Sequence, residues 1–409
     1  MKQYWKLFTA SAMLFAVSLF GECGQKCCNP CGLDSCDCSP CQTCTNSCST
    51  CCCSPCCCEP CDFVPPCPPD QCAYNAPDII DIKCGWDVFV KGSFVYFQAK
   101  EENLEFMEIV TSVPNTDPEA LVRNYSAMCF DYKPGFKVGI GTCYGCDNWS
   151  LYLEYFRYYV DAGKGSLSAN ENIKAFSYYP FPLLEAEESD NTIDSVTATA
   201  KWRLEMDVLD LLLNRRYYVG RCLVFNPYFG LRAAWIDQKY KCTLDEQSTE
   251  QPSTSSFKNI DVKLTSCSWG VGPKAGLQGD WRFCGGFYFF GDTSFDLLYT
   301  SYSMREDKKS IQTSPSSSSR NIQTKDGEKT DKFCFIRPHA QIGLGFGWGD
   351  YFCCNDYYFD FKIGYEFHQY WNQNVLPMIP NNLSSSSDPT RLGGDLNLHG
   401  LLITARLDF

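Results

Sequence analysis

Histidine is scarce in this chain, three in 409 residues, and nowhere are lysine and arginine gathered into a block. The first scarcity leaves little material for metal or general-base chemistry. The second, with a formal charge of −13, argues against nucleic acid as a partner, because phosphate binding needs clustered cations. Long apolar runs are also missing: no stretch of eighteen apolar residues follows Phe20, so no helical span is expected beyond it. Charged residues are few, 20 % against 44 % hydrophobic, which is too apolar for a disordered chain. If such a chain enters a membrane, it must cross as a closed barrel, since only helices and barrels satisfy every backbone group in lipid.

Cysteine and aromatic residues are plentiful instead, 29 cysteines and 15 % aromatics. Nineteen of the cysteines lie between Cys23 and Cys84 and ten are scattered over the remainder, so the chain is made of two different materials. Before them, Lys2 and Lys6 precede an uncharged run from Leu7 to Phe20. That run is too short for a bilayer core and suits a secretory signal over residues 1–21, with a retained anchor as the alternative.

Residues 22–72 form a cysteine-rich segment with runs such as Cys27, Cys28 and Cys31, and Cys51, Cys52, Cys53, Cys56, Cys57, Cys58 and Cys61. Leu33 and Phe63 are almost its only bulky apolar residues, so no hydrophobic core can order it. An exported segment meets oxidising conditions, and the crowded, irregular spacing is unlike paired zinc ligands; disulfides are expected and no metal. Neighbouring cysteines favour different partners, some on other molecules. The segment reads either as a covalent cross-linker to other envelope proteins or copies of itself, or as a low-complexity tail that is merely oxidisable. Residues 73–83 read as a Pro-containing linker.

From residue 84 to 409 the pattern changes to alternation of period two, the mark of strands with one apolar face. Val196, Ala198, Ala200, Trp202, Leu204, Met206 and Val208 alternate with Lys201, Arg203, Glu205 and Asp207. Residues 128–141, 333–348 and 357–368 alternate in the same way. These stretches exceed the five or six residues common in soluble sheets and match the roughly ten plus overhang of a tilted membrane strand. A secreted sandwich would also alternate, but Trp and Tyr at the ends of the apolar faces, among them Trp86, Trp149, Trp269, Trp281 and Trp348, fit an aromatic girdle. Short turns near 144–148, 214–218, 280–285 and 350–355 alternate with long polar connections at 99–125, 161–193, 239–260, 301–331 and 371–394. The expected fold is therefore all-β, a transmembrane antiparallel barrel of about ten strands, rising toward sixteen if the long connections hide hairpins. Leu401, Ile403, Ala405, Leu407 and the terminal Phe409 alternate on the last strand, and Phe409 there looks like the signal read by the barrel assembly machinery.

The segments Gly92 to Phe97, Lys133 to Gly139, Asp207 to Leu211, Pro227 to Arg232 and the strand ending at Phe409 resemble the pore-forming major outer membrane proteins of the Legionella type, a family also found in environmental relatives of chlamydiae. The resemblance implies an outer-membrane porin over residues 84–409. The cysteine-rich segment departs from that pattern and is similar to chlamydial envelope proteins that cross-link an outer membrane.

With the apolar faces toward lipid, the lumen receives Lys133, Lys137, Arg203, Glu205, Arg232, Lys274, Asp292, Asp296, Arg337, Lys362 and Glu366 as pore-lining candidates. Mixed charges can select small polar solutes in a water-filled interior, or pair and plug a narrow barrel. His339, His368 and His399 fall on different strands without metal-ligand spacing, and no triad, phosphate loop or metal motif is present. The expectation is a chain that is no enzyme and has no cofactor, seated in outer-membrane lipid with the cysteine-rich tail in the periplasm. It serves as a diffusion porin tied to its neighbours by disulfides, or alternatively as a structural envelope protein or adhesin on a closed barrel.

Overall fold

The computed structural model describes residues 73–409 apart from 79, 81, 83–86, 114–119, 127, 145–148, 170–172, 179–183, 186–191, 251–253, 315–320, 354–355 and 377–392. The signal and the cysteine-rich segment, with Cys27, Cys28, Cys31, Cys51, Cys52, Cys53, Cys56, Cys57, Cys58 and Cys61, lie outside the described residues.

Sixteen strands are present among the described residues. The first eight are β1 (Ala73–Pro77), β2 (Val88–Glu101), β3 (Met107–Val113), β4 (Ala120–Ser126), β5 (Tyr132–Tyr144), β6 (Trp149–Ala169), β7 (Ile173–Tyr178) and β8 (Leu184–Glu185). The rest are β9 (Thr192–Arg215), β10 (Tyr217–Gly220), β11 (Leu223–Glu250), β12 (Thr254–Arg282), β13 (Phe287–Ser314), β14 (Asn321–Phe352), β15 (Tyr357–Asn374) and β16 (Gly394–Asp408). Ten of them close a barrel in the order β2-β5-β6-β9-β11-β12-β13-β14-β15-β16, every neighbouring pair antiparallel, with β16 returning to β2. Closure leaves no edge, which satisfies the backbone in lipid. The seam is sealed at the very end of the chain, where Phe409 and Val88 exchange backbone hydrogen bonds of 2.9 and 3.3 Å. Among the described residues no helix is long and apolar enough to cross a membrane.

The connection 99–125 does hide a hairpin, β3–β4, but it joins β7 and β8 in a separate four-stranded sheet instead of widening the barrel. Two of the expected loops are also strand: β11 and β12 pair continuously from Leu223↔Trp281 to Glu250↔Thr254, and β13 and β14 from Phe287↔Trp348 to Ser314↔Asn321. The strands therefore rise well past a bilayer. On β12 the outward apolar band runs from Trp281 to Trp269, 58 % and 46 % exposed. Twelve residues at ~3.4 Å and a tilt of ~45° give about 29 Å, one hydrocarbon thickness.

Above that band the faces exchange character. Outward residues on β9 change from Leu213, Leu211 and Leu209 to Asp207, Glu205, Arg203 and Lys201. Inward residues change from Asp210 to Val208, Met206, Leu204 and Trp202, the last three with no exposure at all. The pairing through this stretch is unbroken, from Asn214↔Tyr228 to Ser195↔Gln247, so the inversion is one of composition and not of register. Within the bilayer the barrel is apolar outside and polar inside; in the protruding half it is built like a water-soluble barrel, with a core that includes Phe97, Phe106, Tyr158, Trp202, Tyr240 and Leu264. Phe106, from the segment after β2, packs into that core against the backbone at Gly165, where a Cβ would lie 2.2 Å from its ring.

Candidate functional site: the barrel lumen

The alternation of each strand aims one residue in two into the lumen, and cross-strand pairing fixes their heights. At mid-height this brings Asp210 on β9, Arg232 on β11, Lys274 on β12, Asp296 on β13, His339 on β14 and Glu366 and His368 on β15 into one cluster. Arg232 donates from Nε and Nη2 to the two oxygens of Asp210, both at 2.7 Å, and from Nη1 to Asp296 Oδ2 at 2.9 Å. Lys274 Nζ adds a third donor to Asp210 at 2.8 Å. His339 Nδ1 lies 2.7 Å from Asp296 Oδ2, and its Nε2 lies 3.2 Å from His368 Nδ1. His368 Nε2 is 3.3 Å from Glu366 Oε1, and Lys137 on β5 holds both Glu366 oxygens at 2.7 Å. Gln341 also donates to Glu366. The result is a chain of charges and rings from β5 to β9 across the lumen, and Arg232, Asp210, Lys274, Asp296 and His339 are each no more than 5 % exposed.

At mid-height the side chains leave little open space. Lys137, Glu154, Phe156, Val208, Asp210, Arg232, His368 and Tyr370 line a gap with room for about one water molecule. Below it, Lys91 pairs with Glu154 at 3.3 Å, Tyr228 donates to Asp292 at 2.9 Å, and Tyr288 donates to Asp360. At the short-turn rim Arg216 bridges Asp78 and Asp280 at 2.9 and 3.3 Å, and Arg282 reaches Asp78 at 2.7 Å. Buried charge of this kind persists only where it is paired and hydrogen-bonded.

Nine of the eleven pore-lining candidates face inward. Lys137, Arg232, Lys274, Asp296 and Glu366 belong to the central chain. Asp292 sits below it, Lys362 lies over the Tyr288 and Phe290 rings, and Arg337 reaches the Tyr302 hydroxyl at 3.2 Å. Lys133 is directly opposite the buried Phe97 and shares its face. Arg203 and Glu205 are the exceptions. They point outward, Arg203 to Asp161 at 2.6 Å and Glu205 to Arg157 at 3.1 Å, because their stretch of β9 stands above the lipid, where water lies outside the barrel and the apolar residues turn in. Lys201 and Asp207 follow them.

Asp210, the hub, was hidden by the same parity: three residues from Asp207, it takes the opposite face. The His339–His368 contact was hidden by turn placement. The hairpin closes at Phe352↔Tyr357, later than the turn expected at 350–355, and measuring back from that closure sets His368 opposite Gln341, one inward row from His339. His399 lies on the outside, 2.6 Å from the Tyr365 hydroxyl.

A closed ten-stranded antiparallel barrel, apolar outside over one bilayer thickness and charged within, defines an outer-membrane β-barrel protein. The chain belongs to the family of the Legionella pneumophila major outer membrane protein precursor, whose profile matches residues 81–409. None of the curated protein sequences matches it. Solved structures similar to it include the outer membrane protease OmpT of Escherichia coli, 11 % identical, covering 81 % of this chain and 99 % of the other, with a TM-score of 0.32. A Pseudomonas aeruginosa FadL homologue is 7 % identical, with coverages of 82 % and 93 % and a TM-score of 0.23. At these values neither likeness carries an activity to this chain. The first does correct the expectation that the chain is no enzyme: a protease is found among the proteins similar to it, so that exclusion is withdrawn.

Proposed function

We propose that this protein is a porin-like outer-membrane barrel whose lumen is closed at rest to freely diffusing solutes, passes small ions at most, and is tied to the envelope by disulfides at its short-turn rim. The observation that carries the first part is the salt-bridged chain from Lys137 to Asp210, with the apolar core of the protruding half stacked above it. Ten strands enclose little open space, and here side chains occupy it. In a planar bilayer the purified protein should give conductance steps far below those of a sixteen-stranded porin. Large, steady steps from the unaltered protein would refute this reading.

The cross-linking half is supported by where the scattered cysteines fall. Of the ten after Cys84, six sit in or beside the four short connections: Cys143, Cys146, Cys222, Cys284, Cys353 and Cys354. The protruding strands leave by the opposite rim, so the short-turn rim reads as periplasmic, the same side as the start of β2 and the segment before it. Non-reducing electrophoresis of envelopes should show high-mass species that collapse on adding thiol and that are depleted when the six rim cysteines are replaced by serine. Monomer under both conditions would remove the cross-linking claim. The description of the family as a precursor supports removal of residues 1–21.

A further inference from the structure

We infer that the outer face of the protruding barrel, across β9, β11 and β12, is a binding site for a phosphorylated glycolipid of the outer leaflet. The register places residues on this face in rows that run across the strands, and height is measured along each strand. At the top of the apolar band on β11 and β12 stand Trp235 and Trp269, opposite each other, with Asp207 beside them. One row up, Glu205 pairs with Asp237, and above that come two basic rows: Arg203 opposite Lys239, then Lys201, Lys241 and Lys263 in line across three strands. All five cations point away from the core, since their chain neighbours Trp202, Tyr240, Leu264 and Val262 have no exposure.

Three lysines directly opposite one another repel, and like charges at this spacing destabilise a sheet. Arg203 is paired with Asp161, and Lys241 lies 3.6 Å from Asp261. Lys201, Lys239 and Lys263 make no ion pair among the described residues, although Lys263 stands opposite Asp307 in the β12–β13 register. A basic stripe just outside an aromatic girdle attracts anionic lipid.

Height decides which lipid. Successive outward residues are two positions apart, so at ~3.4 Å per residue and ~45° tilt Lys239 and Lys241 stand about 10 and 14 Å above Trp235 along β11, and Lys263 about 14 Å above Trp269 along β12. The headgroup region of an ordinary phospholipid extends only about 5–7 Å beyond the hydrocarbon. At that level this face presents Asp237 and Glu205 above Asp207, with Arg157 bound to Glu205 at 3.1 Å and to Asp207 at 2.9 Å, so carboxylates outnumber cations there and disfavour a phosphate. Acid below and base above fit a headgroup that carries its phosphates on sugars, held away from the acyl chains.

The test is binding of a fluorescent phosphorylated lipopolysaccharide to the full-length protein in detergent. The intact glycolipid should compete well, and its dephosphorylated form, phosphatidylglycerol in mixed micelles and inorganic phosphate poorly. The triple variant Lys201→Gln, Lys239→Gln, Lys263→Gln should bind about a hundredfold more weakly, at roughly fivefold per lysine, and the corresponding triple Lys→Arg variant should bind normally. Unchanged binding by a glutamine variant that keeps the electrophoretic mobility of a folded barrel would overturn the proposal. So would phosphatidylglycerol or inorganic phosphate competing as well as the glycolipid, a comparison made on the unaltered protein that stands even if the variant fails to fold.

Discussion

Replacing Arg232 by methionine tests the lumen most directly. The side chain is 4 % exposed and makes three hydrogen bonds to carboxylates, two to Asp210 and one to Asp296. Each charge-assisted bond contributes roughly 1.5–3 kcal/mol, but the loss is softened because Lys274 still holds Asp210 and His339 still faces Asp296. The net cost of an uncompensated buried charge is therefore about 3–5 kcal/mol, a shift of two to three and a half decades in the unfolding equilibrium. Urea unfolding in lipid vesicles reads it. The matched control is Arg203→Met, on the strand beside Arg232: Arg203 is also salt-bridged, but it is 43 % exposed. An ion pair in water contributes about 1 kcal/mol or less. Equal effects from the two substitutions would refute both the dry lumen and the assignment of Arg203 to the outer face.

Further outcomes follow from particular contacts. Gly165→Val should loosen the protruding core by about 1–3 kcal/mol through collision with the Phe106 ring, measured by unfolding or by protease susceptibility of the β3–β4 hairpin. In the reduced, folded protein a maleimide should label the exposed Cys353 and spare the buried Cys242 until denaturant is added; equal labelling would contradict the inward placement of Cys242. Deleting Phe409 removes both terminal backbone bonds to Val88 and should lower the yield of folded barrel on electrophoresis without heating.

Much of this architecture is legible in the sequence. Strand number, the short-turn sides and the outward faces of β5, β14 and β15 follow from alternation and turn residues. The limit lies in what alternation means. A period of two separates two faces without saying which faces water, and the answer changes along a single strand. On β9 the row Val196 to Val208 reads equally well as lipid-facing or as core, and only its height, fixed by the Trp235–Trp269 row next door, decides for core. Pairing across the lumen was less accessible. The contact between Arg232 and Asp296, on strands that are not adjacent, depends on barrel closure and not on local pattern.

The exchange of faces near Asp207 also fixes the barrel's depth. Were the molecule to sink by two rows, Asp207, Glu205 and Asp237 would enter acyl chains; were it to rise by two, Leu209, Leu211, Leu231 and Val271 would be left in water. Each step is opposed by transfer costs repeated around the circumference, so the molecule behaves as a float with a marked waterline. A rim held at constant depth gives the cysteines of the short connections a constant reach, which any covalent tether below the membrane would require.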